Sequence, residues 1–328
     1  GLCPLQQALV GAAKMLNGLS ENVIAGGLSR RVAGALTRAR PGAIQWLIVS
    51  AAILVIAIMI GTGHFALEYR ERTLEVAERE LNNSALLLSR HFDQQLSDLQ
   101  CVHEDVIAHM RAQGIDTADA FEKRMSTLSA HEMLRTKLAV MPHVGALNLW
   151  SARGFLVNSS QMWPVPDATI VDRRYFQEFM SGRPTPDVLV VPAVSKVTGI
   201  WTTIFARKIV DRKGEMIGIA VRGVEPSHFE NFVASLALDG DTAISMIHRD
   251  GTVIARYPKD DSVVGQSVAG SPSFQRALAA DGNLSGQFTS GSTSEQKIGA
   301  VRALMHFPIL IVATAGTSTV LADWRAQT

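Results

Sequence analysis

Between Pro41 and Gly63 the chain carries no charged residue, and IQWLIVSAAILVIAIMI at 44–60 is almost purely apolar. No other property restricts the possible folds as much. A helix of about 20 apolar residues spans a bilayer core, because every backbone N–H and C=O inside it finds a partner. Arg30, Arg31, Arg38 and Arg40 lie on its N-terminal side. The positive-inside bias therefore places 1–42 in the cytoplasm, a transmembrane helix at 43–65, and everything after it outside. A cleaved signal peptide is the rival reading. Its apolar core is usually about 7–15 residues, and TGHFALEY is a poor small-x-small cleavage site.

With 328 residues the chain can hold this anchor and two modest domains. Net charge is +1 and no long basic run occurs, so no nucleic-acid partner is expected. The first forty residues show weak periodicity and many Gly and Ala; they are expected to be poorly ordered. Across a membrane Cys3 and Cys101 cannot pair, and Cys101 is expected as a packed thiol in a helix.

Residues 65–111 carry apolar side chains at Leu74, Ala77, Leu81, Ala85, Leu88, Phe92, Leu96, Leu99, Val102, Val106 and Met110. Spacings of three and four define one face of an α-helix. Gln113-Gly114 ends it. A second helix, capped by Asp116 or Thr117, is expected to about Val140, so that 66–140 is helical. A helix this long leaving a membrane is a stalk. Its stripe can pack on its own domain, or its start can meet a twin in a homodimer.

From Val144 the period changes to that of strands. WSARGFLV turns at Ala152–Gly154, a short helix runs over Asp172–Met180 with Asp172 as its cap, and Val188–Val191, Ile200–Ile209 and Met216–Val224 are β-rich. The order then repeats. Gly154 matches Gly251 at an offset of 97, and Phe176-Gln177 matches Phe274-Gln275 at an offset of 98. Leu284–Phe288, Gln296–Leu304 and Pro308–Ala315 supply the later strands. Each half reads helix, two strands, helix, three strands: a duplicated α+β unit whose short turns favour antiparallel pairing.

The residues DRRYFQEF at 172–179, TGIWTTIFARKI at 198–209, GEMIGIAVRGV at 214–224, RDGTVIARYP at 249–258 and LADWR at 321–325 resemble, in order and spacing, the double Cache sensor domains of bacterial membrane receptors. The resemblance implies two tandem PAS-like modules, a membrane-distal one at 141–224 and a membrane-proximal one at 225–328. It also implies an extracytoplasmic or periplasmic sensor on a bacterial inner membrane. Such sensors commonly feed a second span and a cytoplasmic diguanylate cyclase, histidine kinase or chemoreceptor output. Nothing of that kind occurs up to Thr328, so the chain reads as a truncated receptor. The alternative is a tethered solute-binding protein without output.

A PAS-like sheet encloses a small cavity with a few convergent polar groups. In the first module these are expected on the short helix and central strands. Arg173 or Arg174 can fork onto a carboxylate. Tyr175 offers a ring and a hydroxyl, Asp187 can receive an amine, and Trp201 can form a wall. Thr203 and Arg207 stand at even spacing from Trp201, so all three share one sheet face. The expected ligand is a small molecule, a carboxylate or an amino acid, although the aromatic pair that amino-acid sensors carry beside the Arg is not evident. The plainer readings are a solvated Arg207 and a merely capping Asp172. The turn at Arg249–Gly251 reads as a hairpin, and Arg256 and Tyr257 as packing between modules. The nine histidines show no metal-ligand spacing. No G-x-S-x-G, Walker A or G-x-G-x-x-G occurs, so neither catalysis nor a cofactor is expected. The second copy of the repeat lacks the Tyr-Phe pair and the Trp, which points to the first copy as the ligand's place.

Overall fold

The computed structural model describes residues 41–139, 145–194, 199, 201–236, 241–289 and 295–322. Expectations for residues 1–40, for Cys3 and for the end of LADWR lie outside them. Residues up to Glu68 form one unit and Tyr69–Thr328 another.

Helix α1 spans Pro41–Ala112, so the segments expected as anchor and as stalk fall on one helix of 72 residues. In the first unit its side chains from Trp46 to Phe65 are exposed. Two polar ones bond within the helix: Ser50 Oγ donates to Leu47 O, and Thr62 Oγ1 to Ile58 O at 2.8 Å. The helix is long and apolar enough to cross a membrane.

In the second unit the stripe on α1 is buried as its period requires, from Leu74 through Leu81, Leu88, Phe92, Leu96 and Leu99 to Val106 and Met110. Its buried residues from Leu74 to Leu99 join one core and Val106 and Met110 another, while Ala77 and Val102 are half-buried. Cys101 is not packed; it is exposed, because it lies off the stripe. The expected helix to Val140 is two helices, α2 (Ala118–Met125) and α3 (Leu128–Leu138). The break has a local cause. Thr117 Oγ1 accepts from Ala120 N at 3.2 Å, and Thr127 Oγ1 accepts from Ala130 N at 3.3 Å, so each Thr starts its own helix.

Two five-stranded antiparallel sheets follow. The first contains β1 (Leu147–Ser151), β2 (Leu156–Ser159), β3 (Val188–Val194), β4 (Trp201–Val210) and β5 (Met216–Val224), in the order β2-β1-β5-β4-β3. The second contains β6 (Ala243–His248), β7 (Val253–Tyr257), β8 (Asn283–Thr289), β9 (Gln296–Ala303) and β10 (Ile309–Gly316), in the order β7-β6-β10-β9-β8. The two orders are identical after renumbering, so the repeat in sequence is a repeat in topology. Helix α4 (Arg174–Met180) lies over the first sheet and α6 (Pro272–Ala279) over the second. Helix α5 (Pro226–Ser235) joins the modules, and α7 (Thr317–Val320) follows the last strand.

The duplication extends to individual contacts. Gly154 and Gly251 both turn with positive φ, 84° and 94°. Gln177 Nε2 donates to Val171 O at 3.5 Å, and Gln275 Nε2 donates to Ala269 O at 2.6 Å. Both glutamines tie the loop before their helix to the helix itself.

Strand parity decides what each sheet face meets. On the first sheet, Ile204, Ala206, Ile219 and Val221 pack with Tyr175, Phe176 and Phe179 under α4. On the opposite face, Leu147, Leu149 and Ala220 pack on the end of α1 with α2 and α3. Phe205 joins the larger core that α1 shares with the second module.

Candidate ligand-binding site

The site is built on the N-terminus of α4. Arg173 is the N-cap residue and no side chain caps the helix, so Asp172 does not serve as the expected cap. Gly154 allows Phe176 and Val171 to close over the turn at 151–154, where a Cβ would collide with both. Phe176, Phe179 and Tyr175 are thereby sunk into the core, and the residues just before them are presented at the module's surface.

A cavity of about 220 Å³ lies there, lined by Asp172, Arg173, Arg174 and Tyr175, by Val191–Ala193 of β3, and by Asp250 and Thr252. The last two come from the β6–β7 turn of the second module. Arg174 Nη1 donates to Asp250 Oδ2 at 3.3 Å, and this exposed pair joins the modules. Asp250 Oδ1 accepts from Thr252 N at 3.0 Å and lies 2.9 Å from His248 Nδ1. Burial disfavours the Asp250 carboxylate, but the bonds from Thr252 and His248 outweigh burial and bring its pKa down to about 2. Asp250 is therefore an anion throughout the physiological range. Arg173 is half-buried and its side chain makes no hydrogen bond or ion pair among the described residues. Tyr175 is 4% exposed, and burial pushes its phenol well above the usual range, so it stays a neutral hydroxyl. The cavity thus offers one uncommitted guanidinium, two carboxylates and a neutral phenol.

Three of the seven candidate residues, Arg173, Arg174 and Tyr175, meet in this cavity. The other four do not. Trp201, Thr203 and Arg207 do share one face of β4, but it is the face opposite Tyr175. Trp201 lies against Gly265 of the second module, where a Cβ would collide with its indole. Arg207 Nη1 donates to Glu104 Oε1 on α1 at 2.9 Å. Thr203 opens onto a different cavity, of about 310 Å³. Asp187 is exposed, and its carbonyl accepts from Lys208 N at 3.1 Å. Asp250 and Thr252 were missing from the sequence-based set. The hairpin they belong to is legible, but nothing local says that it faces the other module. Among the described residues no cluster of His, Cys, Asp and Glu suited to a metal ion occurs.

Residues 226–314 match the family model for dCache_1-like histidine kinase sensor domains. No curated protein sequence is matched. Among solved structures the chain is similar to the extracellular domain of rpHK1S-Z16, described as a histidine kinase, with 23% identity and TM-score 0.65 over 76% of this chain and 99% of that one. It is similar to the periplasmic sensory domain of the Campylobacter jejuni chemoreceptor Tlp1, with 9% identity and TM-score 0.60 over 76% and 98%. It is also similar to the ligand-binding domain of the Pseudomonas fluorescens chemoreceptor CtaA, solved with L-isoleucine, with 13% identity and TM-score 0.53 over 78% and 98%. The chain therefore has the double Cache fold of extracytoplasmic sensors.

Proposed function

We propose that this chain is the extracytoplasmic sensor of a bacterial inner-membrane signalling receptor, and that the cavity at Asp172–Tyr175 holds its ligand. In this reading 1–42 is cytoplasmic, 43–65 spans the membrane, 66–140 is the helical stalk, 141–224 the membrane-distal module and 225–328 the membrane-proximal one. The observation that carries it is the makeup of the cavity wall. Among the described residues the Arg173 side chain makes no hydrogen bond or ion pair, and a carboxylate lining the same cavity, Asp250, comes from the other module. A zwitterion such as an amino acid satisfies both: its carboxylate on Arg173, its ammonium toward Asp172 and Asp250. The bound L-isoleucine of CtaA supports that class. A ligand touching both modules stabilises one arrangement of the pair, and it shifts the equilibrium only by its differential affinity. The output, a diguanylate cyclase or histidine kinase, is part of the same proposal, as is a homodimer through the exposed side of α1.

The test is thermal unfolding of the chain in lipid nanodiscs against amino acids and small carboxylates. At a ligand concentration of about 100 Kd, mass action stabilises by about 2.7 kcal/mol, which raises Tm by roughly 5–10 °C in a protein of this size. Arg173→Ala should abolish the shift. A ligand whose shift survives both Arg173→Ala and Tyr175→Ala binds elsewhere and sinks this site. For the output, a stop codon directly after Thr328 in the gene would leave the tethered binding protein as the better reading.

A further inference from the structure

The second cavity, of about 310 Å³, is not formed within either sheet. Its walls are α1, the first half of β4, the end of β5, the start of α5, and strands of the second module. Its apolar lining includes Phe92, Leu96, Met246, Ile254 and Ile309. Its polar lining is Thr203, Glu225, Asp98, Gln95 and His228. Their placement is set by the ladder: Thr203 pairs with Val224, so its hydroxyl stands beside the residue that precedes Glu225.

Two observations give this cavity a ligand chemistry. Thr203 is 4% exposed and its Oγ1 is buried without a hydrogen-bond partner among the described residues. An unmet buried hydroxyl costs about 1–3 kcal/mol, so a polar atom brought to it is favoured. The polar lining is also acidic. Asp98 and Glu225 are both exposed at the lining, His228 is the one lining side chain that can gain a positive charge, and no Lys or Arg is among the lining residues. A carboxylate entering here meets like charge; an ammonium meets two opposite charges and the Thr203 oxygen. The volume is about twice the ~150 Å³ cavity that accepts benzene, so an aromatic ring with a short chain fits against the apolar lining.

We propose that this cavity is a second binding site, for a small hydrophobic amine, with the ammonium at Thr203, Glu225 and Asp98 and the apolar body between α1 and the second module. It is separate from the Arg173 cavity and does not depend on it. Because α1 forms one wall, an amine bound here ties that helix to both modules.

The probe is 2-phenylethylamine, titrated calorimetrically into the full chain in nanodiscs, with 3-phenylpropionate and empty nanodiscs as controls. Saturable binding of the amine and none of the carboxylate is expected. Thr203→Val and the exposed double variant Asp98→Asn/Glu225→Gln should each weaken the amine by about tenfold, the loss of a charge-assisted hydrogen bond. Filling the cavity with Ala255→Phe should abolish binding; the exposed double variant serves the same end without a risk to folding. Equal binding of amine and carboxylate, or a Kd unchanged in Thr203→Val and in the double variant, overturns the proposal. The titration is repeated on Arg173→Ala. Persistence assigns the signal to this cavity, and loss assigns it to the first cavity and overturns the second site while leaving the first standing.

Discussion

Lowering the pH from 7 to 5 should destabilise this protein through one buried imidazole. His103 sits on α1 with 1% exposure, and its Nε2 has no hydrogen-bond partner among the described residues. Arg222 on β5 is fully buried, with Nε donating to Gly145 O at 3.2 Å and both Nη atoms without a partner among the described residues. Burial, then the charges of Arg222 and Arg207, bring the His103 pKa from 6.5 down to about 3. The folded protein therefore refuses a proton that the unfolded chain accepts below pH 6.5. Since the unfolded state binds more protons there, stability falls with pH between 6.5 and about 3. At pH 5 the shift acts over 1.5 of its units, which corresponds to about 2 kcal/mol at 1.36 kcal/mol per unit. In a domain of this size that is roughly 4–8 °C in Tm. Burial also lowers the pKa of His91, so the quantity to measure is a difference. Chemical unfolding of wild type and His103→Leu is followed at pH 7 and pH 5 in constant salt. The wild type should lose about 2 kcal/mol more than the variant. An equal loss in both, or an NMR titration of the folded His103 ring near its ordinary value, would refute the reasoning.

Two further outcomes are expected. Gly251 turns at φ 94°, and a Cβ there would lie 2.6 Å from the Ala269 backbone nitrogen, so Gly251→Ala combines backbone strain with a collision against main chain. A loss of about 2–5 kcal/mol is expected; an unchanged midpoint in denaturant would show that the turn can relax. On α1 the side chains of Tyr69, Val76 and Leu87 are 38%, 52% and 71% exposed, off the intramolecular stripe. If they form the dimer seam, Val76→Glu/Leu87→Glu should halve the particle mass in light scattering without lowering Tm. A wild-type chain that is monomeric in the same detergent would remove the seam.

Much of this fold is encoded locally. The three-and-four spacing from Leu74 to Met110 specifies a buried helical face wherever the helix packs. Gly154 and Gly251 mark equivalent turns because only glycine takes their φ without strain. The matched Phe-Gln pairs at 176–177 and 274–275 announce the duplication, and the identical strand orders follow from it. Other features were hidden because their cause is distant. The break between α2 and α3 rests on a Thr that also reads well inside a helix. The exposure of Cys101 depends on which side of α1 meets the sheets.

The candidate site shows the same division. Sequence alone determined that Arg173, Arg174 and Tyr175 stand together at a helix start, and that Trp201, Thr203 and Arg207 share a face. Periodicity states which residues lie on one side of a strand; it does not state what that side meets. Tertiary packing turned that face of β4 toward α1 and the second module, away from α4, because the aromatic residues under α4 fill the other face. It also brought Asp250 and Thr252, about eighty residues from Arg173 along the chain, to the same cavity. A pocket wall made by two modules has no local signature, since each half of it is an ordinary surface until the other arrives.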